Sequence, residues 1–212
     1  ALVLALVMSM SLVTISNAAF KDADSIDYKE AVDVMNAVGV FVGDEKGNFN
    51  AKENLTREQA AKIIAYLELG EKAADALVGS ATFTDVAATR WSAGFVSYCA
   101  QAGVVSGNGD GTFAPAGQLT ALQFGKMLLV EIGYDAKAAG MVGTDWAINT
   151  SKLMASTKLM DKIDGSVNQV LSREKAAQMT LNALKTPTVE YATKGSNITV
   201  NGAEINFGAS VP

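Results

Sequence analysis

Three times along the chain a leucine and a hydroxyl residue precede an apolar helical pattern: Leu55-Thr56, Leu119-Thr120 and Leu171-Ser172. A Thr or Ser oxygen placed there can accept from the open backbone N–H groups of a first helical turn. Gln59 and Gln123, three residues on, complete a capping box, which Lys175 does not. Each leucine can staple onto the fourth residue of its helix, namely Ala60, Phe124 or Ala176. Ala60, Ile63 and Ile64, like Phe124, Met127 and Leu128, then share one helical face, which Thr180 interrupts in the third copy. A short helix cannot bury such a face alone. Three copies therefore predict helices that pack on one another.

The repeat extends upstream. Phe49 and Phe113 each lie seven residues before the capping threonine, and Gly39-Val40 and Gly103-Val104 begin seventeen before it. Further back stand Phe20-Lys21-Asp22 and Phe83-Thr84-Asp85. The third copy is degenerate: Thr144-Asp145-Trp146 opens it, Lys158-Leu159 replaces Gly-Val, and its loop is three residues shorter. In the first helix of copy one, Ala31, Val32, Met35 and Val38 fall at helical spacing, and Gly39 can end it in a left-handed cap. Trp91, Phe95, Val96 and Cys99 do the same in copy two, before Gly103. Cys99 matches Met35 and Met154, so it reads as a buried, inert thiol.

Taken together these residues resemble the S-layer homology module, commonly found three in tandem in bacterial surface proteins. The resemblance rests on the F-x-D opening, a Trp-led first helix, the G-V-x-x-G and G-x-F loop, and the T-R-x-E helix start. It covers about residues 20–186 and departs from the pattern at Ala121, where an arginine is expected, and in the missing G-x-F of copy three. It implies a mainly α fold: two helices and a long loop per repeat, packed as a pseudo-threefold bundle around a central three-helix core. The division is then repeat one at 19–76, repeat two at 77–140 and repeat three at 141–186. A segment at 187–212 follows, in which Asn201-Gly202 between two β-prone stretches predicts a hairpin.

The resemblance also implies a function, the non-covalent anchoring of an exported protein to secondary cell-wall polymer, whose terminal sugar is often pyruvylated. Such a ketal presents a carboxylate, and a guanidinium meets it with two parallel, charge-assisted hydrogen bonds. Arg57 and Arg173 are the candidates. They follow helix caps, where free N–H groups would also favour an anion. Trp91 and Trp146 read either as helix packing or as sugar-stacking walls. Asp22 and Asp85 read either as groove residues or as structural ones. Gly43, Gly107, Thr56 and Ser172 complete the expected polymer-binding set. Glu58 and Glu174 are explained by favourable placement at a helix N-terminus.

Composition narrows the alternatives. The 212 residues hold no histidine and a single cysteine, which removes His-based triads, His-ligated metals, CxxC sites and an internal disulfide. A net charge of −5, without a basic stripe, argues against nucleic acid. In the loop 106–111 a calcium frame fails, because Gly117 stands where the bidentate glutamate belongs; turn geometry explains its glycines. No catalytic motif, cofactor site or metal-ligand cluster stands out, so no enzyme activity and no cofactor are expected. Residues 1–18 are uncharged and mostly Ala, Leu, Val and Met, and Ser16-Asn17-Ala18-Ala19 suits signal-peptidase cleavage after Ala18 or Ala19. A membrane anchor is the rival reading, but the run falls short of a full span. The expected location is the bacterial cell wall or surface layer. The alternatives to a wall anchor are a self-associating subunit of a surface lattice and the anchoring part of an exported enzyme.

Overall fold

A computed structural model describes residues 20–191, together with the backbone of 196–200 and 203–207. The expected signal peptide and the Asn201-Gly202 turn lie outside the described residues. Each copy supplies a first helix and a longer second one. Copy one has α1 (Lys29–Ala37) and α2 (Arg57–Leu69), copy two has α4 (Ala93–Gln101) and α5 (Ala121–Glu131), and copy three has α6 (Trp146–Ser156) and α7 (Arg173–Leu184). The Glu71 to Ala81 connection is not wholly irregular: α3 (Glu71–Asp75) forms in it, buries Ala74, and ends where Asp75 accepts from the Tyr66 hydroxyl at 2.5 Å. Strands β1 (Ser196–Val200) and β2 (Ala203–Phe207) pair antiparallel.

The capped helices start as their sequences dictate. Thr56 and Thr120 accept from the backbone N–H groups of Gln59 and Gln123, whose side chains accept in return from the threonine N–H groups. Caps of this kind are worth about 1 kcal/mol. Ser172 has the same extended backbone but makes no side-chain cap, and its buried hydroxyl lacks a hydrogen-bond partner. Lys175, which offers no side-chain acceptor, also leaves the return half of the box unmade. Gly39 and Gly103 end the first helices at φ 75° and 73°, where a Cβ would be strained. Trp91 stands ahead of α4, not inside it, whereas Trp146 is the first residue of α6.

Packing is cyclic and crosses the copies. Helix α4 packs on α2, α6 packs on α5, and α1 packs on α7, so each first helix lies on the second helix of the preceding copy. The second helices meet as α2 with α5 and α5 with α7. Around the helix starts, backbone hydrogen bonds close a circle: Leu55 N–H to Leu171 O (2.8 Å), Leu171 N–H to Leu119 O (2.9 Å), and Leu119 N–H to Leu55 O (3.1 Å). All three leucines are buried. With Ile64, Phe124, Leu128 and Met179 they form part of one continuous core, each large side chain contributing about 1.5–3 kcal/mol by its burial.

Cys99 is fully buried with Met35 and Met154 at the equivalent places, and its S–H points to Ala61 O at 3.4 Å. Burial, with the Glu131 carboxyl nearby, pushes the thiol up to about 12. A bulky thiol reagent is therefore expected to react slowly with native protein and rapidly after unfolding. Equal rates in the two states would show that α4 does not bury this face.

A second titrating feature sits at the far ends of the capped helices. Glu131 ends α5 and Glu68 lies in the last turn of α2, where helix carbonyls disfavour negative charge. Burial, reinforced by the Glu68 carboxylate, raises Glu131 from 4.5 to about 8. The folded state thus holds this proton more tightly than the unfolded one. Its stabilising contribution is complete below about pH 4.5 and disappears as pH rises through about 8. Glu131→Gln should abolish a stability loss on the order of 4 kcal/mol between pH 5 and 9. Parallel thermal-melting profiles of the two proteins over that range would refute it.

Candidate binding grooves

The first two N–H groups of each second helix are not open to an anion. Arg57 and Glu58 donate their N–H groups to Gly117 O and Pro115 O at 2.9 and 3.0 Å. Ala121 and Leu122 donate to Gln169 O and Val167 O, and Arg173 and Glu174 to Glu53 O and Ala51 O. The loop of the following copy, or of the first in the case of the third, satisfies every one of these donors. The expectation of free N–H groups beside the arginines is therefore corrected. An anion here meets side chains.

Two grooves of about 360 and 330 Å³ have one construction. The first takes Arg57 from copy one, Ser106, Gly107, Phe113, Gln123 and Lys126 from copy two, and Trp146 from copy three. The second takes Arg173 from copy three, Val42, Gly43, Gln59 and Lys62 from copy one, and Trp91 from copy two. Each expected arginine thus lies in a groove with a tryptophan from a different copy. Lys62 and Lys126, both six residues after the cap, escaped the sequence reading. Their recurrence at one helical position was the available signal.

The arginines are half-buried and already engaged, not freely solvated. Arg57 stacks on the Phe113 ring, with its guanidinium carbon 4.5 Å from the centroid. Its Nε donates to Phe113 O at 2.6 Å and its Nη2 to Ser106 O at 3.2 Å. Arg173 lies 5.1 Å from the Phe49 ring centre and donates to Phe49 O and Val42 O, both at 3.0 Å. Each fixes a loop of the next copy and keeps Nη1 without a protein partner among the described residues. Burial lowers both guanidiniums from their ordinary values, and it lowers the Lys126 ammonium, which sits 5.7 Å from the Trp146 ring centre. Charge held in such partly dry surroundings attracts an anion more strongly than charge in water.

The remaining expected residues divide. Trp91 is 54% exposed, with its ring 6.3 Å from that of Phe95, so it has a free face; Trp146 is partly buried. Asp22 turns to its own repeat's backbone: its two oxygens accept from Phe49 N–H at 2.7 Å and Asn50 N–H at 2.8 Å. Asp85 does the same for Phe113 and Ala114. These bonds hold Asn50 and Ala114 in the left-handed region, at φ 59° and 57°. Gly43 and Gly107 line the grooves, yet packing alone requires them: a Cβ would fall 2.7 Å from Phe20 or Phe83. The Thr56 hydroxyl caps its helix, and neither Thr56 nor Ser172 lines a described groove.

Glu58 and Glu174 are more than helix-dipole partners. Both are buried. Glu58 accepts from Arg90 at 2.7 and 2.8 Å and from Ser92 at 2.6 Å, across the boundary between copies one and two. Burial would raise its carboxyl, but these bonds outweigh that and hold it below its ordinary value. Glu174 accepts from Asp27 N–H at 2.8 Å and pairs with Lys52, joining copies three and one. Leu122, buried, fills this position in copy two.

At the third equivalent place each groove element is replaced. Ala121 stands for the arginine, Asp27 for the tryptophan, and Gln178, which donates to Asn182 at 2.8 Å, for the lysine. Asp164 occupies this loop, accepting from the Tyr28 hydroxyl at 2.8 Å and pairing with Lys175 at 3.0 Å.

Charged and aromatic walls drawn from several copies define a repeat-built module with two grooves of like construction. Residues 19–61 and 82–123, the first two copies, match the S-layer homology domain. The chain is 26% identical over 172 residues to a "Middle cell wall protein" of Brevibacillus brevis, covering 81% of this chain and 16% of that protein. It is 27% identical over 176 residues to a "Surface layer protein" of Brevibacillus choshinensis, covering 82% and 15%. It is 34% identical over 128 residues to a "Surface-layer 125 kDa protein" of Lysinibacillus sphaericus, covering 59% and 10%. The chain spans less than a fifth of each of these relatives. The domain match and these relatives identify a secreted bacterial cell-surface protein. No helix among the described residues is long and apolar enough to cross a membrane.

Proposed function

We propose that the chain anchors its protein non-covalently to an anionic cell-wall polysaccharide, and that 143–185 is a third, degenerate S-layer homology repeat. The observation that carries the binding reading is the repeated groove: Arg57, Lys126 and Trp146 in one, Arg173, Lys62 and Trp91 in the other. Paired cations suit a carboxylate, pyruvate ketals included, and an indole face suits the C–H face of a sugar ring. The third repeat is supported by helix-start N–H groups that donate to a neighbouring loop as in the other two copies. The closed circle of leucine bonds supports a pseudo-threefold bundle around a central three-helix core, with β1 and β2 as a following hairpin. The role is binding, without catalysis or a cofactor.

A surface-lattice subunit remains the second reading, favoured by the surface-layer relatives. Pull-down with purified cell-wall sacculi tests the first reading. Retention on intact sacculi and loss after chemical stripping of the secondary polymer is the expected result. Equal retention on stripped sacculi, or none on intact ones, rejects polymer recognition.

A further inference from the structure

The two grooves differ at one pair of equivalent loop positions. Asn108 lines the first groove where Asp44 lines the second, sixty-four residues apart like the two capping threonines. Asp44 accepts from Lys46 N–H at 2.9 Å and Asn48 N–H at 2.8 Å, and its carboxyl is held down at about 2 by hydrogen bonds from Asn48 and Asn50. Among the lining residues the second groove therefore sets Asp44 and Glu53 against Arg173 and Lys62, while the first has only Arg57 and Lys126 as formal charges.

Asn108 precedes a glycine, and the setting exposes that pair to water. Asn108 and Gly109 are both exposed, Gly109 has φ 91°, and nothing stands within 4 Å of where its Cβ would be. The Gly109 N–H has no hydrogen-bond partner among the described residues. The neighbouring groups, by contrast, are engaged: Asn108 N–H donates to Thr112 O at 2.8 Å, and its carboxamide donates to the Thr112 hydroxyl at 2.9 Å. The carboxamide is thus held on a fixed turn, next to the backbone nitrogen of an exposed glycine.

We propose that Asn108–Gly109 is a self-modification site at which spontaneous deamidation installs a carboxylate in the first groove. The Gly109 nitrogen, losing its proton to solvent base, attacks Asn108 Cγ; the C–N bond to the amide nitrogen breaks, and ammonia leaves with a proton from water. Water then opens the five-membered imide at either carbonyl, giving aspartate or isoaspartate with no oxidation or reduction. Position 108 thereby acquires the charge that Asp44 carries in the second groove. The consequence for binding rests on the polymer reading above: a negative charge beside Arg57 and Lys126 opposes an anionic ligand. The chemistry itself does not depend on that reading.

The test has two arms. In the first, the full chain is held at mildly alkaline pH in water enriched in heavy oxygen, and its peptides are mapped by mass spectrometry. Residue 108 is expected to convert several-fold faster than Asn48 or Asn50, to give both isomers, and to take up one heavy oxygen atom. Gly109→Ala should slow the conversion strongly. Conversion no faster than at Asn48, or an undiminished rate in a folded Gly109→Ala protein, overturns the assignment. In the second arm, Asn108→Asp and Arg57→Ala are compared on sacculi. Asn108→Asp should weaken binding about two- to fivefold, the size of an exposed charge effect. Unchanged binding of Asn108→Asp while Arg57→Ala weakens refutes the effect on the groove. Unchanged binding of Arg57→Ala rejects the groove reading instead, while the peptide map still decides the chemistry.

Discussion

Glu58→Ala is expected to destabilise the protein by about 2–4 kcal/mol, because it strips one of the boundaries between copies of its buried acceptor. The carboxylate gathers three hydrogen bonds from Arg90 and Ser92, and Ser92 is completely buried. Without Glu58 that hydroxyl and a guanidinium with 35% side-chain exposure lose their partner together. For a domain of this size the loss corresponds to a fall in Tm of roughly 5–15 °C. Copy two shows the apolar solution to the same problem, with Leu122 at the equivalent position. Glu58→Leu combined with Arg90→Met should therefore recover much of what Glu58→Ala loses, since an apolar replacement of both partners avoids the stranded charge. Urea unfolding of the three proteins is the measurement. A Glu58→Ala protein within about 0.5 kcal/mol of wild type would mean that the pair does not hold the copies together.

The second large effect concerns the grooves. Arg57→Ala and Arg173→Ala should each weaken polymer binding about ten- to a hundredfold, the equivalent of roughly 1.5–3 kcal/mol for a lost charge-assisted hydrogen bond. The double variant should lose most of it. The arginines also tie down loop carbonyls at Phe113, Ser106, Phe49 and Val42, so their removal is expected to loosen those loops as well as discharge the grooves. Arg→Lys separates the two effects: it keeps the charge but cannot span two carbonyls in a planar fork. Arg57→Lys and Arg173→Lys should bind between wild type and alanine. Ala121→Arg is not expected to create a third groove, because Ala121 is fully buried and Asp164, Tyr28 and Lys175 bond to one another at that place. Calorimetric titration with purified wall polymer decides these points. Undiminished affinity of a folded double alanine variant would reject the arginines as the recognition element.

Some of this molecule was present in its sequence. The two capping boxes, the glycine-ended first helices and the buried Cys99 are local or periodic features, fixed by bonds within a few residues or by one side of a helix. The arginine and tryptophan candidates were also legible, because they recur at constant spacing. What spacing along the chain could not convey is which copies share a boundary. The tertiary structure places every first helix on the preceding copy's second helix and makes each groove from three copies. It also directs the helix-start N–H groups into a neighbouring loop. A backbone donor that must be buried takes the nearest acceptor in space, whatever its distance in sequence. That rule turned Asp22 and Asp85 toward backbone amides and Glu174 toward the Asp27 N–H, while side-chain donors on Arg90 and Ser92 made Glu58 a link between copies. The same packing of copies sets Lys62 and Lys126 in grooves with arginines from other repeats.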